Sequence, residues 1–229
     1  DFLTNEYESY IITTIEIDVD HCNQSWFIDK NGFYINNCIY IQYINSKLPT
    51  DQIPYVITID PTEAFGDGHH PTTKMCGKFL FEEFSNKHKD FLKTYSVLDV
   101  GCGTGVLGIL ACKLGASNIH LIDNNKKAIE STKRNLILNN IDNFVLEYFD
   151  LNEFNSVKKF KIIVANILTD VLEKNINKLY SLLHKNGLLI CSGIGDTWQL
   201  DIERIFVENN LTIIKHESID GWHAYMLVR

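Results

Sequence analysis

The chain has 229 residues, 45% hydrophobic and 22% charged, with a formal net charge of -8 and a pI near 5.4. That balance suits one substantial globular domain with a small appendage. It contains no Lys/Arg block of the kind a general nucleic-acid binder uses, no run near the roughly 18 apolar residues of a membrane span, and no signal peptide.

Residues 1–58 are rich in Ile, Tyr, Val, Thr and Asn. "YIITTIEIDV" and "CIYIQYI" read as strands, with a turn signal at "DKNG" between them. "EAFGDGHHPTT" (63–73) follows, reading as a loop that leads into a helix. From Tyr95 strand and helix alternate. "YSVLDV" is a strand, "VLGILACKLGA" a helix closed by Gly115, "NIHLID" a strand ending in Asp123, and "KKAIESTKRNLILNN" an amphipathic helix. Strands "NFVLEYF" and "FKIIVANI", helix "DVLEKNINKLYSLLHK", strand "NGLLICSGI" and helix "WQLDIERIFVENN" come next, then strands "LTIIKHESI" and "WHAYMLVR".

This alternation predicts an α/β fold: a doubly wound, mostly parallel, Rossmann-like sheet of seven strands with helices on both faces. Only Asp220–Gly221 joins the last two strands, too short a link for a crossover, so a terminal antiparallel hairpin is expected. The expected division is a small β-rich segment at 1–58 and the main domain at 59–229. Cys22, Cys38, Cys76, Cys102, Cys112 and Cys191 form no CxxC pair, and several sit in apolar runs. Reduced, buried thiols in a cytoplasmic protein are expected rather than a disulfide framework.

The strongest local signal is "VLDVGCGTGVLG" (97–108). Gly103, Gly105 and Gly108 match the dinucleotide fingerprint. The first glycine after the strand is Gly101, however, which sets the register Gly101-x-Gly103-x-Gly105. Asp99, just inside the strand end, would repel a pyrophosphate but suits the ammonium of an amino-acid ligand. Asp123 closes the next strand, where an acid accepts hydrogen bonds from ribose hydroxyls. Acid, glycine turn and second acid together suit S-adenosylmethionine. A tight strand–helix turn with no ligand is the plainer alternative.

These features resemble the class I S-adenosylmethionine-dependent methyltransferases. "DPTEAFGDGHHPTTKMC", "VLDVGCGTGVLGILACKLGA", "VANIL" and "GLLICSGI" are similar, in matching order, to the ribosomal protein L11 methyltransferase (PrmA) family, as is the placement of "GWHAYMLVR". The resemblance implies N-methylation of lysine or N-terminal amines of ribosomal protein L11, by a monomer that engages neither nucleic acid nor membrane. It implies that Thr73, Gly101 and Asp123 contact the cofactor and that Asn166 lines the transfer site as the catalytic residue. Asp99, Gly103 and Gly105 complete the cofactor set. The chain departs from the family at Asp67, where the family carries Thr, and in its short segment before the motifs, a truncated or diverged substrate-recruiting domain.

Each residue has a plainer reading. Thr73 is also a candidate helix cap. Asn166 could bond local backbone at the strand end. Asp150 could meet the adenine or face water. Adjacent His69 and His70 splay apart and have no paired Cys or HExxH, so no metal is expected. His70 could shape the transfer pocket or bond within its loop. Cys102 reads as a small filler in the turn, and Trp198 and Trp222 as packing residues. Gly66 and Gly68 would let the loop lie close over the methyl donor, with Phe65 as an apolar cover. Other functions consistent with the sequence are a methyltransferase for another protein or a small molecule, a non-catalytic cofactor-binding module, and a nicotinamide dehydrogenase.

Overall fold

The computed structural model describes residues 32–47, 53–60, 69–85, 87 and 92–229. The expected strand "YIITTIEIDV" and the readings of Phe65, Gly66, Asp67 and Gly68 lie outside the described residues.

A three-stranded sheet comes first: β1 (Gly32–Asn36), β2 (Ile39–Tyr43) and β3 (Tyr55–Ile59). Asn36 makes the β1–β2 turn, its Oδ1 accepting from the N–H groups of Cys38 and Ile39, both at 2.9 Å. β2 then pairs parallel with β3. Helix α1 (Pro71–Ser85) opens on Pro71, where the missing N–H of proline leaves no bond unmade.

The main domain continues through β4 (Ser96–Val100), α2 (Val106–Leu114), β5 (Asn118–Asp123), α3 (Lys126–Leu138), β6 (Phe144–Tyr148) and β7 (Phe160–Asn166). It ends with α4 (Thr169–Leu182), β8 (Leu183–Gly195), a short 3-10 turn at Asp196–Trp198, α5 (Gln199–Glu208), β9 (Thr212–Ile219) and β10 (Trp222–Val228). Asn125 caps α3, its side chain accepting from the N–H of Lys127 at 2.9 Å. Gly115 closes α2, as its position after the apolar run predicted.

The seven strands lie in the order β6-β5-β4-β7-β8-β10-β9. The first five are parallel, and β10 runs antiparallel to both neighbours, giving the expected terminal hairpin. Strand order reverses between β4 and β7, the switch point at which doubly wound sheets open a crevice at their carboxyl ends.

The central strands are apolar throughout because both sheet faces are covered. Val97, Ile162 and Val164 face one core with α1 and α2, while Leu98, Ile163 and Ala165 face another with α4 and α5. Ile41, Ile57 and Ile59 of the small sheet belong to the first of these cores, together with Phe79 of α1 and Leu110 of α2. The small sheet is therefore packed into the main domain's hydrophobic core. Among the described residues no helix is long and apolar enough to cross a membrane.

Ile57 is fully buried. Ile57→Ala should cost about 2–5 kcal/mol and lower the stability of the whole chain in one cooperative transition. Urea unfolding followed by far-ultraviolet circular dichroism and by tryptophan fluorescence checks this. Two separated transitions would show that the small sheet melts alone.

Candidate active site

A cavity of about 770 Å³ opens at the carboxyl ends of β4, β5 and β7, within the size range of small-molecule sites. Of the residues expected to bind the cofactor or act in transfer, Gly101, Gly103, Asp123 and Asn166 line it. Thr73, Asp99 and Gly105 are not among the lining residues.

The glycine turn is shaped for close approach. Gly101 has φ +66°, and a Cβ there would lie 2.6 Å from Cγ2 of Ile167. Only glycine leaves this part of the turn open. Asp123 is held by two backbone donors: the N–H of Gly103 to Oδ2 at 2.9 Å and the N–H of Asn125 to Oδ1 at 2.8 Å. These bonds aim its carboxylate at the cavity before any ligand arrives.

Asp99 occupies a different place. It is 2% exposed, and its Oδ2 accepts the N–H of Gly108 at 2.9 Å, beneath the turn and inside the first turns of α2. Burial pushes its carboxyl up to about 7 against the pull of that N–H, and the nearby Asp123 carboxylate adds to the rise. Gly105 backs onto Thr132 of α3. Cys102 is buried with Sγ 3.4 Å from Oγ1 of Thr132, and burial drives its thiol well above the usual range, so it fills space rather than attacking.

Asn166 ends β7, and its Nδ2 donates to Oγ1 of Thr73 at 3.2 Å. Thr73 thus ties the start of α1 to the end of β7. Next to Asn166 the chain passes Gly193, which has φ +89°; a Cβ there would sit 2.0 Å from the carbonyl oxygen of Ile167. That glycine lets the ends of β7 and β8 close on each other. Thr169 fastens the same corner through Oγ1 to the carbonyl of Gly193 at 2.9 Å.

The whole chain from residue 11 to 229 matches the family model "Ribosomal protein L11 methyltransferase (PrmA)". The chain belongs to this family. A relative named ribosomal protein L11 methyltransferase from Thermosipho melanesiensis is 38% identical, over 88% of this chain and 68% of the relative. One of the same name from Prochlorococcus marinus is 37% identical, over 73% of this chain and 54% of the relative. The chain thus spans about half to two thirds of the length of these relatives. The crystal structure of a ribosomal protein L11 methylase from Lactobacillus delbrueckii subsp. bulgaricus superposes with a TM-score of 0.77 at 29% identity, covering 87% of this chain and 98% of that one.

The "VANIL" corner at Asn166 and the glycine turn both lie on the cavity wall. Other cavity residues were read differently, left between two readings (His70 and Asp150), or passed over in the sequence. Trp222, read as packing, lines the cavity and meets His70 edge-on at 4.9 Å between ring centroids. The antiparallel course of β10 puts its first residue at the edge where the parallel strands end. His70 also lines the cavity, and its Nδ1 lies 2.8 Å from Oγ1 of Thr72. His69 instead turns to the small sheet, edge-on to Phe33 at 4.7 Å. Asp150 lies on the wall near Phe149 and Leu151. The N–H of Asn152 and the amides of Asn124 and Asn152 hold its carboxyl below the usual range. Gly193, Ile167 and Val171 are further wall residues; a glycine ending an apolar strand was the available signal for Gly193.

The raised carboxyl of Asp99 has a signed consequence. The folded state keeps its proton up to about pH 7, whereas the unfolded chain releases it near pH 4. Between those values the folded state binds more protons, so stability falls as pH rises. Asp99→Asn retains an acceptor for the Gly108 N–H and removes the acid. The ligand-free variant should gain on the parent by on the order of 3 kcal/mol from pH 4 to pH 7, read as denaturant midpoints across that range. Parallel pH profiles would show that Asp99 ionises normally.

Proposed function

We propose that the chain transfers a methyl group from S-adenosylmethionine to amines of ribosomal protein L11, on lysine or at the N-terminus. The carrying observation is Asn166, on the cavity wall at the switch point, with its amide nitrogen engaged by Thr73. That engagement leaves its carbonyl oxygen as the group to accept a hydrogen bond from an incoming amine.

The residues present suit the cofactor. Gly101 and Gly103 offer a wall without side chains, and the Asp123 carboxylate, preset by two N–H donors, suits ribose hydroxyls. Ala128, Phe149 and Leu151 supply apolar surface suited to a flat base, with Asp150 at its edge. Asp99 supports the turn from beneath through Gly108. When bound, S-adenosylmethionine supplies a methyl group carried on a positively charged sulfonium.

The chain's own part is to prepare the amine. A lysine ammonium, with an ordinary pKa of about 10.4, has no lone pair until it loses a proton. Ile167, Leu168, Val171 and Trp222 form an apolar stretch of the wall. Desolvation there favours the neutral amine. The Asn166 carbonyl, with a neighbouring backbone carbonyl, accepts its N–H groups and aims its lone pair. Neutral acceptors orient without holding the proton or adding a counter-charge, so the rate gain comes from positioning. On this reading the segment before residue 59 faces the protein substrate. Buried, unpaired Cys76, Cys102 and Cys191 are in keeping with a reducing cytoplasm.

Asn166→Ala should lower methyl transfer to purified ribosomal protein L11 by about 100-fold or more, with affinity for S-adenosylhomocysteine within about threefold of the parent. Labelled-methyl transfer and calorimetry read the two quantities. Cofactor binding without transfer to L11 by the parent chain would sink the substrate assignment. Tight NAD binding with none of S-adenosylhomocysteine would sink the cofactor assignment.

A further inference from the structure

Helix α3 and its C-cap carry three buried polar side chains, at positions 132, 135 and 139. They bond to backbone on two sides. Toward the glycine turn, Thr132 Oγ1 donates to the carbonyl of Gly103 at 2.9 Å, and Asn135 Nδ2 donates to the carbonyl of Thr104 at 2.8 Å. Toward the small sheet, Asn135 Oδ1 accepts the N–H of Asp60 at 2.8 Å. Asn139 takes Thr58 with both ends of its amide, Oδ1 accepting the N–H at 3.0 Å and Nδ2 donating to the carbonyl at 2.6 Å. It imitates a neighbouring strand at the end of β3.

Asn135 is the residue common to both sides. It is fully buried, and its two amide ends join the first backbone N–H after β3 to the glycine turn. A buried primary amide in this position is costly unless both ends are bonded. An apolar residue would leave the N–H of Asp60 and the carbonyl of Thr104 without this partner, so the position calls for a side chain that both donates and accepts. We infer that Asn135 is a positioning residue: it sets the carbonyl of Thr104, and through it the cofactor turn, according to where β3 lies. The small sheet and the cofactor site then act as one mechanical unit. A change at the end of β3 alters cofactor affinity although β3 contributes no residue to the described cavity wall. This rests on the cofactor reading above.

The test uses the full chain and calorimetry with S-adenosylhomocysteine, alongside thermal unfolding. Asn135→Ala removes both bonds. Asp60→Pro removes the N–H donor just after β3 and, with it, the Asp60 carboxylate that lies 3.7 Å from Nε of Arg134; Asp60→Ala removes the carboxylate alone and is the reference for its Kd, and α3 and the glycine turn stay unchanged in sequence. Asn135→Ala against the parent, and Asp60→Pro against Asp60→Ala, should each raise Kd about tenfold, the effect of about one hydrogen bond. The double variant should bind no more weakly than Asn135→Ala alone, because the two changes break one linkage. A purely structural role for Asn135 predicts lower Tm with unchanged Kd in the folded protein, which would overturn the proposal. So would a normal Kd in Asp60→Pro, or effects of the two substitutions that multiply. If Asn135→Ala does not fold, Asp60→Pro decides by its Kd alone. Should the parent chain bind no S-adenosylhomocysteine, the cofactor reading fails and this proposal fails with it. Parent binding with an unchanged Asp60→Pro affinity removes only the proposal.

Discussion

The five residues between β4 and α2 must turn sharply, show backbone to a ligand, and leave no buried polar group unbonded. Much of the main domain is arranged around that demand. Gly103 gives its N–H to Asp123, and its carbonyl takes the hydroxyl of Thr132. The carbonyl of Thr104 takes the amide of Asn135. Gly108, one turn into α2, gives its N–H to Asp99. A turn satisfied this way is preorganised, and a ligand meeting it need not be the agent that orders it.

That arrangement has an electrostatic cost in Asp99. A carboxyl buried under the turn, near a second acid, resists ionisation, and its single N–H donor only partly offsets burial. A cationic ligand overhead would ease the repulsion between the two acids.

The far wall of the cavity depends on where strands end. Asn166, Gly193 and Trp222 come from β7, β8 and β10, which lie side by side in the sheet. Asn166 closes β7, Gly193 lies near the end of β8, and Trp222 opens the antiparallel β10, so all three reach the same edge. Thr73 and His70 add the start of α1 to that corner. The small N-terminal sheet stands on the other side of α3, within the same hydrophobic core as α1 and α2. Its contact with the cofactor turn is made through asparagine side chains rather than through a lining residue.

Local pattern was enough for the elements and their order. Apolar runs between glycines and helix-period stripes place β4 to β10 and the intervening helices, and the two-residue link at Asp220–Gly221 requires a hairpin. The spacing of Gly101, Gly103 and Asp123 marked three cavity residues because neighbouring strand ends in a doubly wound sheet must converge. Sequence could not separate Asp99 from that group: which face of the strand it occupies, and that Gly108 holds it beneath the turn, depends on how α2 packs back. Nor could it show that Trp222 reaches the cavity, that Gly193 admits the carbonyl of Ile167, that Asn139 pairs with Thr58 of β3, or that Asn135 joins the end of β3 to the turn. Those pairings link residues 26 to 81 positions apart, and spacing along a chain carries no information about them. The sequence by itself determined the fold class, the family and the chemistry of the cofactor turn, because these reside in short contiguous motifs. The tertiary structure alone decided which polar groups face the ligand and which hold the turn from behind, because that division depends on packing between elements distant in the chain.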